Sequence, residues 1–197
     1  MDEACTHCAA LCETRSRVVH GYGDVAADFL FVGEMPDADA DRTGVPFTGS
    51  DAGERVLGIL RRLGLCGPPG EATEPVLANA YLTNLTRCHH PERSPTDAEI
   101  GNCEPFLNAE VRMINPEILV ALGDRALATL LEDYSTTAAD AVALPDCHGD
   151  RIRGRGFEIV PTIDPASMTD DEADAFVYAF SELMASDYRQ TKGRRSR

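Results

Sequence analysis

An α/β fold is predicted for this chain of 197 residues: a three-layer α/β/α sandwich around a central, mainly parallel four-stranded sheet. Two observations predict it. Short apolar runs recur four times, and stretches with helical periodicity lie between them. Such alternation of strand and helix gives a parallel sheet covered on both faces.

The first strand is Asp28-Phe29-Leu30-Phe31-Val32-Gly33, an apolar run ending in glycine, as buried parallel strands do. A long polar loop is expected from Glu34 to Ser50. Asp51 to Leu63 carries Val56, Leu57, Leu60 and Leu63 on one face, with Ser50 as its cap. Gly67-Pro68-Pro69-Gly70 breaks the chain. Ala80 to Asn84 is the second strand. Thr96 and Glu99 have the spacing of a capping box, which starts a helix running to Ile114. Ile118 to Gly123 is the third strand, and Asp124 opens a helix through Leu130. The stretch from Asp133 to Gly156 is weakly patterned, with a small hairpin expected around Arg151 to Phe157. Phe157 to Thr162 is the fourth strand, and Asp170 to Ala185 the final helix.

Residues 1–187 are expected to form one domain, followed by a basic, flexible tail at 188–197. No apolar run is long enough to span a bilayer. Met1-Asp2-Glu3-Ala4 lacks the features of a signal peptide, so a cytoplasmic protein with reduced thiols is expected, as a monomer. The net charge is −15, and Lys192 is the single lysine. Ordinarily such acidity argues against a nucleic-acid partner. Here it reads as a halophile's solvated surface, because concentrated salt confines each charge to a few ångströms.

Seven cysteines are present. Cys5 and Cys8 form a C-x2-C clip, and Cys88 and Cys103, with fourteen residues between them, lie in the middle of the chain. Thiolates are soft ligands, and four converging suit zinc or an iron–sulfur cluster. Cys66 and Cys147 fit small buried apolar positions instead.

In a sheet of this kind ligands bind beyond the carboxyl ends of the strands. Gly33-Glu34-Met35-Pro36, leading into Gly44-Val45-Pro46-Phe47-Thr48-Gly49, lies there. So do Asn84 and Ile163-Asp164-Pro165-Ala166-Ser167. An aromatic, an amide and a carboxylate at one sheet edge make a pocket for a flat, hydrogen-bonding ring. Phe47 can stack on it, and Asn84 offers its edge both a donor and an acceptor.

The ordered set Gly33-Glu34-x-Pro36, Gly44-x-Pro46-Phe47-x-Gly49, Asn84-x-x-Arg87-Cys88, Cys103 and Ala121-Leu122-Gly123 resembles the iron–sulfur uracil-DNA glycosylases, often called family 4. Cys5-Thr6-His7-Cys8, with Arg15-x-x-Val18-Val19-x-Gly21-x-Gly23, matches that family's opening. The resemblance implies a DNA-repair hydrolase that cleaves the N-glycosidic bond of uracil, or another deaminated base, in DNA. It implies a structural [4Fe–4S] cluster on Cys5, Cys8, Cys88 and Cys103, with Cys12 as a substitute ligand. It also implies that the base, flipped out of the duplex as the chemistry requires, stacks on Phe47 and bonds Asn84 beside Gly33. An acid of the Glu34 to Asp41 segment, among Glu34, Asp37 and Asp41, would position the attacking water.

Two departures stand out. Asp164-Pro165-Ala166-Ser167 replaces the family's His-Pro-Ser, so an acceptor stands where a donor to the leaving base is expected. Asp37 replaces a glycine. Asp164 then takes a new catalytic role, as base or water ligand. The alternative is an iron–sulfur DNA- or ligand-binding member of the same superfamily with impaired catalysis.

Overall fold

The computed structural model describes residues 3–69 and 74–189. The expected basic tail lies, from residue 190, outside them. Its sheet has six strands: β1 (Tyr22–Gly23), β2 (Phe29–Gly33), β3 (Ala80–Asn84), β4 (Ile118–Leu122), β5 (Ile152–Arg153) and β6 (Glu158–Thr162). They are ordered β1-β3-β2-β4-β6-β5. The four inner strands are the four read from sequence, and they run parallel. The two outer ones are two-residue antiparallel additions. Such short edges leave little unpaired backbone for another chain to join. β5 with β6 makes the small hairpin expected near residue 151.

The helices are α1 (Ala9–Thr14), α2 (Ala38–Thr43), α3 (Asp51–Arg62), α4 (Asp97–Ile114), α5 (Asp124–Tyr134) and α6 (Asp170–Ala185). Side chains alternate across the sheet. Phe29 and Phe31 point to one face, where Val56, Leu60, Phe176 and Phe180 from α3 and α6 cover them. Leu30 and Val32 point to the other, under Leu107, Val111, Leu127 and Leu130 of α4 and α5. This is the predicted three-layer sandwich.

Local chemistry sets the helix ends. Ser50 Oγ accepts from Gly53 N at 3.1 Å and caps α3. Both Thr96/Glu99 and Thr169/Glu172 form capping boxes. The segment expected as loop from Glu34 to Ser50 contains α2, which no apolar period announces. Asp37 Oδ1 caps it by accepting from Ala40 N at 2.7 Å, and Gly44 ends it at φ 84°.

One buried ion pair crosses from the sheet to α4. Arg87 Nη2 lies 2.7 Å from Glu110 Oε2, with side chains 2% and 3% exposed. Thr83 Oγ1 donates to the same oxygen at 2.7 Å and itself accepts from Arg87 Nη1. Glu110 Oε1 accepts from Gly21 N at 3.2 Å. A Cβ on Gly21 would fall 2.4 Å from the Tyr81 ring and 2.6 Å from Glu110 Oε1, so only glycine allows this approach.

Two predictions follow from these contacts. Glu110→Gln leaves an uncompensated buried guanidinium and should lower unfolding free energy by about 3–5 kcal/mol. Arg87→Met/Glu110→Leu should cost less than the sum of the single changes, by urea titration. Glu99 makes stability depend on pH. Bonds from Arg93 Nη1 and Nη2, at 2.8 and 2.9 Å, oppose the burial that would raise its carboxyl and hold it down to about 2. A folded-state value below the unfolded one stabilises above the unfolded pKa and fades as pH falls through the folded one. Glu99→Gln should therefore melt below the parent at pH 7, and the gap should close as pH falls from about 4.5 toward about 2.

Candidate active site

The parallel strands end together, and the chain order reverses beside β2, where β3 lies on one side and β4 on the other. A crevice opens at such a switch point. Here it is a cleft of about 360 Å³, lined by Gly33, Glu34, Asp37, Phe47, Asn84 and Asp164, among others. The sequence reading named all six as site residues.

Asn84 ends β3 and is 2% exposed. Its Oδ1 is buried without a hydrogen-bond partner among the described residues. A buried amide oxygen left unpaired costs free energy unless a ligand satisfies it. Phe47 adopts φ 59°, which is uncommon for a bulky residue and marks a backbone held by its surroundings. Gly53 secures it from below: a Cβ there would lie 2.7 Å from the Phe47 carbonyl. Gly33 makes room between the two groups, for a Cβ on it would meet Asn84 Oδ1 at 2.6 Å and Phe47 Cζ at 2.8 Å. Ring, amide and the space beside them are thus built as one unit.

The four predicted acids divide. Glu34 is half-buried in the cleft, and its carboxylate has no protein partner among the described residues. Asp37 lines the cleft too, yet both its oxygens are engaged, Oδ1 by Ala40 N and Oδ2 by the Ser50 hydroxyl. Asp164 stands exposed at the rim and accepts from Ala166 N at 2.9 Å. Asp41 corrects the expectation. It is buried away from the cleft, where it accepts from Ser16 N at 2.7 Å and Arg17 N at 3.3 Å. Its charge anchors the N-terminal segment to α2 rather than facing a ligand.

Sequence reasoning gave no site role to Gly123, Asp124 or Arg125, which also line the cleft. Gly123, at φ 89°, turns β4 into α5 with no side-chain cap, so first-turn N–H groups of α5 are left without intrahelical partners. The signal was available: a glycine at the carboxyl end of a central strand, directly before a helix.

The thiols gather on the other side of the Arg87–Cys88 segment. Arg15 Nη1 donates to Cys88 Sγ at 3.0 Å, and its Nη2 donates to the Cys5 carbonyl. Cys12 Sγ donates to the same carbonyl at 3.6 Å, and Asn102 Nδ2 donates to Cys8 Sγ at 3.4 Å. Cys88 is within electrostatic reach of Cys12 and Cys5, and Cys103 of Cys88 and Cys8. Burial pushes the Cys103 thiol up to about 11 and raises Cys88, where Arg15 pulls the other way. Five of the seven cysteines therefore form one linked group, including all four predicted ligands. Among the described residues, no three His, Cys, Asp or Glu side chains are set to grip a single ion. The donor set is nonetheless all sulfur, with hydrogen bonds already aimed at Cys88 and Cys8, and it suits an iron–sulfur cluster.

His89 joins the two regions. Directly after Cys88, its Nδ1 lies 2.9 Å from the Pro36 carbonyl in the cleft loop.

Comparison with known proteins agrees with this geometry. The chain is 34% identical over 164 residues to the Type-4 uracil-DNA glycosylase of Thermotoga maritima, covering 82% of this chain and 76% of that one. It is 31% identical over 198 residues to the Type-4 uracil-DNA glycosylase of Saccharolobus solfataricus, covering 95% and 80%. A Type-5 uracil-DNA glycosylase of Pyrobaculum aerophilum is 27% identical over 172 residues, covering 85% and 74%. Residues 20–183, which carry the whole sheet and every cleft residue named above, match the uracil DNA glycosylase superfamily, and the chain belongs to that superfamily.

Proposed function

We propose that this protein is a DNA-repair glycosylase that hydrolyses the N-glycosidic bond of uracil, or another deaminated base, in DNA. The observation that carries the reading is the unpartnered, buried Asn84 Oδ1 beside a Phe47 held at φ 59°. Such a slot accepts a planar ring with polar edge atoms. The target base has to leave the helix to enter it. Phe47 stacks on the base, and the Asn84 amide pairs with its polar edge. Asn84 thereby gains the partner it otherwise lacks, which favours the flipped state.

Of the four acids, Glu34 best suits the positioning of water. Asp37 and Asp41 already spend their oxygens on backbone and hydroxyl donors, which leaves them poorer acceptors for a water proton. Asp164, at the rim, accepts hydrogen bonds and does not donate them while ionised. In place of a donor, it offers nothing to charge growing on a leaving uracil. The support for the cluster is the linked thiol group. Cys5, Cys8, Cys88 and Cys103 would hold it. Its chemistry here is structural, cross-linking the chain start, the Arg87–Cys88 segment and α4. The work on DNA is expected at high salt, where screening blunts the acids around the cleft.

The test is a uracil-containing oligonucleotide, incubated with loaded protein in concentrated salt and then cleaved with alkali. A relative of known activity runs in parallel. Strand scission is expected, and its absence beside an active control overturns the reading. Asn84→Ala should slow release by about 100- to 1000-fold, and Phe47→Leu by about ten- to a hundred-fold. Gly33→Ala should abolish base binding and also lower the melting temperature, because its methyl collides with Asn84 Oδ1 and the Phe47 ring. Asp164→His should raise uracil release by restoring a donor.

A further inference from the structure

The stretch from Asp133 to Gly156, weakly patterned in sequence, reaches the neighbour of the cleft rim through one imidazole. β6 pairs with β4 as far as Thr162, so Ile163 is the first residue beyond that ladder. Its N–H donates to His148 Nδ1 at 3.1 Å. A backbone N–H can only donate, so Nδ1 is the acceptor and the ring proton sits on Nε2. That proton goes to the Glu172 carbonyl, 2.9 Å away on the first turn of α6. The ring also packs against Phe176, one turn further along α6, with centroids 5.7 Å apart. Gly149 N, the next residue's donor, bonds the Pro161 carbonyl at 2.8 Å. His148 thus bridges the two ends of the segment that carries Asp164: the exit of β6 and the start of α6.

Between those ends the segment closes on itself. The Asp164 carbonyl accepts from Ser167 N and Met168 N at 3.0 and 2.9 Å, and Asp164 Oδ1 accepts from Ala166 N at 2.9 Å. A turn closed in this way moves as one body, so its attachments decide where the Asp164 carboxylate stands. Met168, 4% exposed, seats the far end in the core. At the near end the tie is the imidazole. His148 itself does not line the cleft, so it acts on a ligand there only through its neighbours.

We propose that His148 is a positioning residue for base release. By bridging Ile163 N and the Glu172 carbonyl it holds Asp164 at the rim, where the carboxylate accepts from a water or from a ring N–H of the bound base. The inference rests on the glycosylase reading above.

Two amide variants separate the contacts, because the Asn amide falls near the place of Nδ1 and the Gln amide near that of Nε2. His148→Asn keeps an acceptor for Ile163 N. His148→Gln keeps a donor for the Glu172 carbonyl and leaves Ile163 N without its acceptor. Amide exchange on the intact protein reads the tie directly. The Ile163 amide should exchange about tenfold faster in His148→Gln and stay within about twofold of the parent in His148→Asn. Equal exchange in the parent and in His148→Gln overturns the tie. Base release is followed on uracil- and hypoxanthine-containing oligonucleotides in concentrated salt. On whichever base the parent releases, His148→Gln should lower kcat about tenfold with KM little changed, and His148→Asn should restore most of it. In an Asp164→Ala background the same His148→Gln change should alter kcat by less than about twofold. A loss of equal size in both backgrounds means that His148 does not act through Asp164, and overturns the proposal, as does no loss in the parent. Should the parent release neither base, the glycosylase reading fails instead, while amide exchange still shows whether His148 holds the rim.

Discussion

The buried pair of Arg87 and Glu110 is the constraint on which both functional regions depend. A guanidinium 2% exposed is a heavy desolvation penalty, tolerated only where its charge and donors are met. Glu110, Thr83 and the Asn84 carbonyl meet its charge and both Nη groups, while Nε is without a partner among the described residues. Each partner lies on a different piece of the molecule or at a different point along β3. The pair therefore fixes the end of β3 against α4, and through Gly21 against the N-terminal segment. Asn84 lies three residues before Arg87, with the amide already aimed into the cleft. Cys88 follows immediately. On α4, Cys103 lies two turns before Glu110 on the same side, and both are buried. Cleft and thiol group are two faces of a single charged clamp.

That arrangement makes the thiol group more than a staple at a distance. His89 passes from Cys88 to the Pro36 carbonyl, and Asp41 returns from α2 to the Ser16 and Arg17 amides. The loop from Gly33 to Asp37, which carries Glu34, is held between these two ties. Its ends are set by the sheet at Gly33 and by the α2 cap at Asp37. A carboxylate with no partner of its own needs a backbone held by others, and Glu34 has one.

Much of this was legible in the sequence, for physical reasons. Strands buried on both faces are mostly apolar, so β2, β3, β4 and β6 showed themselves. The periods of α3, α4 and α6 did likewise. α2 hid because Ala38–Thr43 has no apolar stripe; it exists through a cap at one end and a left-handed glycine at the other. The two-residue strands β1 and β5 are too short to leave a pattern. In the cleft, Phe47, Asn84 and Gly33 were legible because their chemistry suits one kind of ligand. Asp41 was misplaced because an acid in a polar segment looks the same whether it faces solvent, substrate or backbone amides. Only the fold shows which donors reach it.

The same limit applies to Asp164, where the three-dimensional arrangement changes what the residue means. Taken alone, an acid at this rim opposes an anionic leaving group. In the folded chain its Cβ is 3.3 Å from where a side chain on Gly123 would begin, at the uncapped start of α5. The positive end of a helix stabilises a nearby carboxylate, so Asp164 is neither isolated nor fully opposed. The α5 start and Asp164 line one cleft with Asn84. Donors thus remain available there as backbone N–H groups, although the side-chain donor is gone. An acid beside fixed backbone donors can hold a water or a base N–H while they meet developing negative charge. The acceptor at residue 164 therefore stands beside backbone donors at the start of α5, in the same cleft as Asn84.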